Sequence, residues 1–473
     1  MNRKLEYFKS HMQGRKIAVL GVGVSNRPLI RYIHRLGAVI TAFDMADSSD
    51  EVLKRTMDDF RAEGIDIAWS LGKDYLSALK GFDMVFRTPK VRFDIPELVA
   101  ERERGAVITS EMEVFLELCP AKTFGVTGSD GKTTTTTLIS LFLKEEGYRV
   151  WLGGNIGTPL LDRIDEVEDS DMVVLELSSF QLHTMRKSTD VAVVTNISPN
   201  HLDVHKDYME YIDAKKNLML YQSFMGRLVL NATNYESRSL ASEARGRVVY
   251  FGRTNSDGFP GAFLVDGLLE IHEPAQGRHL SVLPADEIVI PGRHNQENFL
   301  AAMAATVEHV SPASMARVAR TFRGVEHRME LVRELDGVRY FNSSIDTSPT
   351  RTKAAMKALE DRGESVVLIV GGKDKKCDYT GLGEAILAVS DRIVLCGDNV
   401  PLVEKSILVA CERRAQAVPT MVHCTGYEEA VLAARGLARP GEAVVLSPAG
   451  TSFDRFRNFE ERGNQFKKIV LGL

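Results

Sequence analysis

Two kinds of segment alternate along this chain. Short runs that are apolar at nearly every position (16–20, 122–126, 171–177, 191–196, 365–370, 443–446) read as strands buried on both faces. Between them lie stretches with helical spacing of apolar residues, such as 28–36 and 134–144. A repeated strand–helix order predicts parallel α/β sheets. The pattern falls into three segments, 1–118, 119–323 and 324–473, and roughly three domains suit a chain of 473 residues.

In the first segment, strand 16–20 leads into Gly21-Val22-Gly23-Val24-Ser25-Asn26, then a helix, then strand 39–43 with Asp44 at its end. This is a βαβ unit with an acid after its second strand. Asn26 stands where a dinucleotide fingerprint has its third glycine, so the match is partial. Strands at 82–86 and 106–109 continue the sheet. The second segment opens on strand 122–126, a glycine loop and a helix. Between 226 and 283 the pattern shifts to short strands with turn signals, which predicts an antiparallel addition, and a helix follows over 298–310. In the third, strands at 338–341, 365–370, 392–395, 420–423 and 443–446 alternate with helices, a doubly wound sheet without a phosphate loop. The expected fold is α/β: a Rossmann-like N-terminal domain, a central P-loop domain and a Rossmann-like C-terminal domain.

Charge and cysteines narrow the setting. A formal net charge of −5 argues against a general nucleic-acid binder. The five cysteines include no CxxC pair and read as reduced structural thiols. Residues 1–14 are charged, without an apolar leader core, and no apolar run is long enough to span a bilayer. A cytoplasmic protein with no membrane insertion is expected.

The chemistry concentrates at Thr127-Gly128-Ser129-Asp130-Gly131-Lys132-Thr133-Thr134. A glycine loop between a strand and a helix turns its N–H groups toward phosphates, and the helix N-terminus adds positive potential. Lys132 can reach the outer phosphates, and the Thr133 hydroxyl can ligate Mg²⁺. The loop is not a strict Walker A, because Val126 occupies the first glycine position. Glu176 ends an apolar strand, where either a metal-binding acid or a satisfied core carboxylate fits. His201 follows strand 191–196 and can meet metal or phosphate, whereas Asp203 and His205 read as exposed or helix-start residues. Lys215 and Lys216 read by spacing as a solvated basic face. Asn155 lies in the glycine-rich turn 153–158, and Asn295, in the run 292–298, can hydrogen-bond a base or cap a helix. In the third segment, polar loops at 341–350, 371–378 and 447–454 each follow a strand, and Lys375 can pair with a substrate carboxylate.

Together the variant loop, Leu175-Glu-Leu-Ser-Ser-Phe-Gln181, Asn200-His-Leu-Asp203 and Gly292-Arg-His-Asn-Gln-Glu-Asn298 resemble the Mur ligases. The closing segment 446–466 is most similar to the family's D-glutamate-adding members. The resemblance implies an ATP-dependent amide ligase of peptidoglycan synthesis that acts on UDP-N-acetylmuramoyl-L-alanine and D-glutamate, as a monomer. It implies Lys132 and Thr133 on ATP, and two Mg²⁺ ions held by Thr133, Glu176, His201 and a carbamylated Lys215. Asn155 would touch the muramoyl substrate, Asn295 the adenine, and Arg328 would also serve the nucleotide. Gly23, Ser25, Asn26, Asp44 and Thr88 would bind the UDP moiety, and Thr347, Lys375, Ser452 and Phe459 the D-glutamate. Two departures stand out. The family's Asn-Asp-Ser-Lys-Ala-Thr-Asn is here Asn342-Ser343-Ser344-Ile345-Asp346-Thr347-Ser348, and Lys90 replaces a common glycine after Thr88-Pro89.

Overall fold

The computed structural model describes residues 2–199, 204–273, 277–290, 292–360, 362–374 and 377–473. Two compact units are present, Met1–Thr321 and Phe322–Leu473. The first unit holds two sheets and the second holds one.

The first sheet comprises β1 (Lys16–Leu20), β2 (Val39–Asp44), β3 (Ala68–Leu71), β4 (Met84–Arg87) and β5 (Val107–Thr109). Its order is β3-β2-β1-β4-β5, and every pair is parallel. The chain reverses direction of travel between β1 and β4, which opens a crevice at their carboxyl ends.

The second sheet comprises β6 (Lys122–Thr127), β7 (Val150–Gly154), β8 (Met172–Glu176), β9 (Val191–Val194), β10 (Arg227–Asn231), β11 (Arg247–Gly252), β12 (Gly261–Val265), β13 (Leu268–Glu273) and β14 (Arg278–Pro284). The order is β14-β13-β12-β11-β10-β9-β6-β8-β7. The antiparallel part is smaller than the sequence pattern suggests: β10, β11 and β12 still pair in parallel, and only β13 and β14 run against their neighbours. β6 sits between β8 and β9, so the loops after all three leave one edge side by side.

The helix Lys132–Glu145 carries a run of threonines, poor helix formers by propensity. Thr136 and Thr137 return their hydroxyls to the carbonyls of Lys132 and Thr133, each at 2.8 Å. Burial of Leu138, Ile139, Phe142 and Leu143 overrides the propensity, since each large apolar side chain removed from water contributes about 1.5–3 kcal/mol. Phe142 meets Phe299 of the helix Arg293–Thr306 at 6.2 Å between ring centroids. That contact locks a distant motif against the phosphate loop.

In the second unit, β15 (Glu330–Leu335), β16 (Val338–Asn342), β17 (Val366–Val370), β18 (Arg392–Leu395), β19 (Thr420–His423) and β20 (Ala443–Leu446) form a sheet of order β15-β16-β20-β17-β18-β19. Only β15 is antiparallel to its neighbour. β16, β20 and β17 are contiguous, so the three polar loops that follow them emerge together. Among the described residues, no helix is long and apolar enough to cross a membrane.

Candidate active site

Val126 is still strand, fully buried and in register with Glu176 on one side and Val193 on the other. The loop is therefore just Gly128–Gly131, and a glycine at 126 would serve no turn. Gly128 and Gly131 have φ of 150° and 78°. A Cβ on Gly128 would lie 1.9 Å from Thr195 Oγ1, and one on Gly131 would lie 2.4 Å from Asn298 Oδ1. Both positions need glycine on conformation and on space.

The end of β9 shapes this loop from below. Asn196 accepts the Ser129 N–H on its carbonyl and the Asp130 N–H on its side chain, both at 2.9 Å. Thr195 Oγ1 donates to the Asp130 carbonyl at 2.6 Å. Ser129 Oγ contacts Tyr211 Oη at 2.9 Å and donates to the Ser198 carbonyl at 3.0 Å. Lys132 Nζ curls back onto the carbonyls of Gly128 and Ser129, each at 2.9 Å. Thr133 and Thr134 follow in the first helical turn, Thr133 buried.

Lys215, on the helix Tyr208–Lys216, is not a solvated surface residue. It is 1% exposed, and its Nζ donates to the same Gly128 carbonyl at 2.8 Å. The ammonium also sits 4.5 Å from the centre of the Tyr211 ring. Burial drives its pKa well below the ordinary lysine value, the nearby Lys132 charge adds to the depression, and Asp130 opposes it. The structure thus places beside the phosphate loop an amine whose charged form is disfavoured by its surroundings. His205 is likewise buried rather than exposed, stacked on Phe180, with Nε2 3.0 Å from Ser179 Oγ. The helix-start role belongs to Asp207, which accepts the Glu210 N–H at 2.8 Å. His201 and Asp203 lie outside the described residues.

Glu176 closes β8 at 2% exposure. Its Oε1 accepts from Asn155 Nδ2 at 2.8 Å, and its carbonyl accepts the Asn155 N–H at 2.8 Å. Its Oε2 is buried with no hydrogen-bond partner among the described residues. An orphaned carboxylate oxygen at a strand end is costly unless a cation completes it, and a hard, oxygen-seeking Mg²⁺ fits.

Asn295 lies in the first turn of the helix Arg293–Thr306. One turn on, Asn298 does what sequence reasoning missed. It accepts from Thr135 Oγ1 at 3.2 Å, donates to Asn295 Oδ1 at 3.4 Å, and faces Gly131 directly. Two asparagines three apart at a helix start were the available signal, because that spacing places both on one face. Replacing Asn298 with Ala removes these bonds and the side chain that faces Gly131. The KM for ATP is expected to rise about tenfold, on the order of 1–2 kcal/mol for buried hydrogen bonds. An unchanged KM would reduce Asn298 to packing.

Against the first sheet lies a cavity of about 810 Å³. Gly23, Ser25, Asn26, Asp44 and Thr88 all line it. Asp44 accepts the N–H groups of Val22 and Ala46 at 2.8 and 3.0 Å, and Asn26 Nδ2 donates to the Leu20 and Gly21 carbonyls. These bonds hold the glycine loop in shape at the crevice.

In the second unit, Arg462 organises the strand-end loops. It is fully buried. Its guanidinium donates to Ser344 Oγ and O at 3.0 and 2.9 Å, and to the carbonyls of Gly450 and Thr451 at 3.1 and 3.0 Å. Lys373 and Thr451 exchange backbone bonds, which joins the third loop to this knot. Ser452 is buried within it, Phe459 begins the final helix with its ring 6.0 Å from that of His327, and Thr347 is half-buried. Arg328 lies in the turn that precedes β15, its N–H on the Val325 carbonyl. Lys375 lies outside the described residues. The acid at 346 is built in: Asp346 is buried, accepts from Ser447 Oγ at 2.8 Å, and has its pKa raised by burial. It thereby ties the loop after β16 to the loop after β20.

Fold and loop together define a phosphate-loop α/β protein with its polar side chains gathered at strand ends. The family model described as Mur ligase middle domain matches residues 126–306, and that described as Mur ligase, glutamate ligase domain matches residues 327–450. The chain is 54% identical over 471 residues to UDP-N-acetylmuramoylalanine--D-glutamate ligase of Acetivibrio thermocellus, with 99% of each chain covered. It is 50% identical over 474 residues to the enzyme of that name from Ruminiclostridium cellulolyticum, with both chains fully covered. Among solved structures, UDP-N-acetylmuramate-alanine ligase MurC from Thermotoga maritima is similar in fold, with a TM-score of 0.53 at 17% identity, covering 97% of this chain and 99% of that one. The MurF ligase from Thermotoga maritima in complex with ADP gives 0.52 at 17% identity, covering 97% and 96%. The chain belongs to the Mur ligase family, and it is an enzyme of that ATP-dependent ligase class.

Proposed function

We propose that this enzyme joins D-glutamate to UDP-N-acetylmuramoyl-L-alanine in the cytoplasm, with ATP cleaved to ADP and phosphate, as a step of peptidoglycan synthesis. The observation that carries the reading is the shared carbonyl of Gly128, which holds the side-chain nitrogens of Lys132 and Lys215 at one phosphate loop. The substrate names come from relatives about half identical over their whole length.

In this reading the alanyl carboxylate attacks the γ-phosphorus of ATP. The bond to the ADP oxygen breaks and an acyl phosphate forms. The D-glutamate amine then attacks the acyl carbon, phosphate leaves, and the amine loses a proton as the amide forms. Such steps require positioning and charge neutralisation rather than a protein nucleophile. Gly128–Gly131, Lys132 and Thr134 hold the triphosphate, Asn295 and Arg328 its nucleoside end, and Asn155 the muramoyl group. Residues 1–118 take the UDP portion, 119–323 the ATP, and 324–473 the D-glutamate against Thr347, Lys375, Ser452 and Phe459.

Magnesium would be held by the Thr133 hydroxyl, the orphaned oxygen of Glu176, His201 and Lys215, and would neutralise charge on the transferring phosphoryl group. Lys215 can offer oxygen only as a carbamate. A neutral amine is the form that adds to CO₂: the N–C bond forms as one C=O π pair moves onto oxygen, one proton departs to solvent, and the neutral amine becomes an anionic carbamate.

The test is phosphate release from ATP with UDP-N-acetylmuramoyl-L-alanine present. Release is expected to depend on D-glutamate. Independence from it would end the assignment, and dependence on L-glutamate instead would transfer the choice of amino acid to the altered loop 343–348.

A further inference from the structure

We propose that Lys90 is an affinity-determining residue that grips the diphosphate of the nucleotide-linked substrate; this rests on the function proposed above. The cavity beside the first sheet is lined by three cations, Arg87, Lys90 and Arg92. Two of them are already committed. Arg92 is clamped by Asp94 at 2.9 Å and Glu210 at 2.8 Å. Arg87 is buried and donates to the carbonyls of Thr88 and Pro89 at 3.2 and 3.5 Å, to that of Val91, and to Thr184 Oγ1 at 3.0 Å. Lys90 is exposed at the cavity wall and has no ion pair or hydrogen bond among the described residues. It is the cation that remains free to meet an anion.

The local backbone explains how a lysine comes to stand there. The Val91 N–H donates to the Thr88 carbonyl at 3.1 Å, which closes a four-residue turn with Pro89 and Lys90 at its corners. Proline presets the first corner. Lys90 is absent from the residues of positive φ, so its corner suits any L-residue and nothing in the turn demands glycine. Arg87 holds the turn's carbonyls from beneath, which aims the tip at the cavity rather than leaving it loose. The Gly21–Asn26 loop lines the same cavity, with no acidic side chain in the first turn of the helix that follows. A diphosphate bound there meets one mobile ammonium, whose attraction is present before and during reaction alike. Such uniform binding lowers KM without raising kcat.

Lys90→Ala and Lys90→Arg enzymes are compared with the unaltered one. In the alanine variant, KM for UDP-N-acetylmuramoyl-L-alanine is expected to rise about fivefold to tenfold, the range of a partly exposed charge-assisted contact. kcat and the KM for ATP hold. UDP loses the same factor as a competitive inhibitor, uridine loses none, and Lys90→Arg restores most of the affinity. Equal losses for UDP and uridine would make the effect structural and overturn the proposal, as would an unchanged KM. If the unaltered enzyme shows no inhibition by UDP, the reading of this cavity as a UDP site falls, and the role of Lys90 falls with it.

Discussion

A Lys215→Ala enzyme is expected to lose on the order of a thousandfold or more in kcat, the scale of removing a principal electrostatic contributor. The reason lies in what the side chain is doing. At 1% exposure and beside Lys132, an ammonium at 215 would be a buried charge next to a like charge, with a backbone carbonyl as its main partner. Burial of that kind is tolerated when the group sheds its charge. A neutral amine has one further use at such a site, addition to CO₂. Two substitutions separate that use from simple charge. Lys215→Arg preserves a cation but cannot form a carbamate, and is expected to be as inactive as the alanine variant. Short carboxylates such as acetate should partly restore Lys215→Ala, because they bring back the oxygens that a carbamate would offer. A ¹³C signal from labelled bicarbonate is expected on the unaltered enzyme and absent from both variants. Activity retained in Lys215→Arg would show that positive charge, not a carbamate, is the requirement.

Much of the architecture was legible because buried parallel strands are written as continuous apolar runs. β8, β9, β17 and β20 are of that kind, β6 mixes lysine and threonine with its apolar positions, and the polar loops at their ends follow from the sheet's polarity. Three strands escape that pattern: β7 ends in Gly153-Gly154, which read as the start of a turn, and the other two lack a continuous apolar run. β3 is only half-buried, and β15 is an edge strand of mixed sequence, Glu-Leu-Val-Arg-Glu-Leu, largely half-exposed. The antiparallel addition was misjudged in extent because apolar content does not report direction of pairing: β10 and β11 are short and turn-flanked, yet parallel. In the site, Val126 was legible as a departure, and the fold supplies its meaning: strand where another loop would have glycine. Depth was not legible. Spacing puts Lys215 on a solvated face and loop position puts His205 at the surface or a helix start, whereas tertiary packing buries both. Asn298 and Arg462 escaped notice for a related reason. Each meets backbone far away in sequence, at Gly131 and at residues 344 and 450–451; the Asn295–Asn298 spacing announces a shared face but not its partner, and nothing local announces the reach of Arg462.

Lys132→Ala is expected to abolish turnover, with kcat lower by about a thousandfold or more. In the structure its ammonium rests on two loop carbonyls at 2.9 Å. Those bonds make a ready position from which it can swing to the outer phosphates of ATP and follow negative charge as it develops. The loss should therefore fall on kcat more than on ADP binding, which the loop N–H groups and the helix N-terminus still support. A second consequence follows from the neighbour. Lys132 is the second cause, after burial, of the depressed Lys215 pKa. Without that charge the Lys215 amine shifts back toward its ordinary range and holds its proton to higher pH. Less neutral amine is then present at a given pH, so carbamate formation on Lys215 should require more CO₂ or higher pH than in the unaltered enzyme. The labelled-bicarbonate signal measured against pH reads this directly, apart from turnover. An unmoved titration would show that burial alone sets the amine, and turnover within tenfold of the unaltered enzyme would show that Gly128–Thr133 is not where ATP reacts.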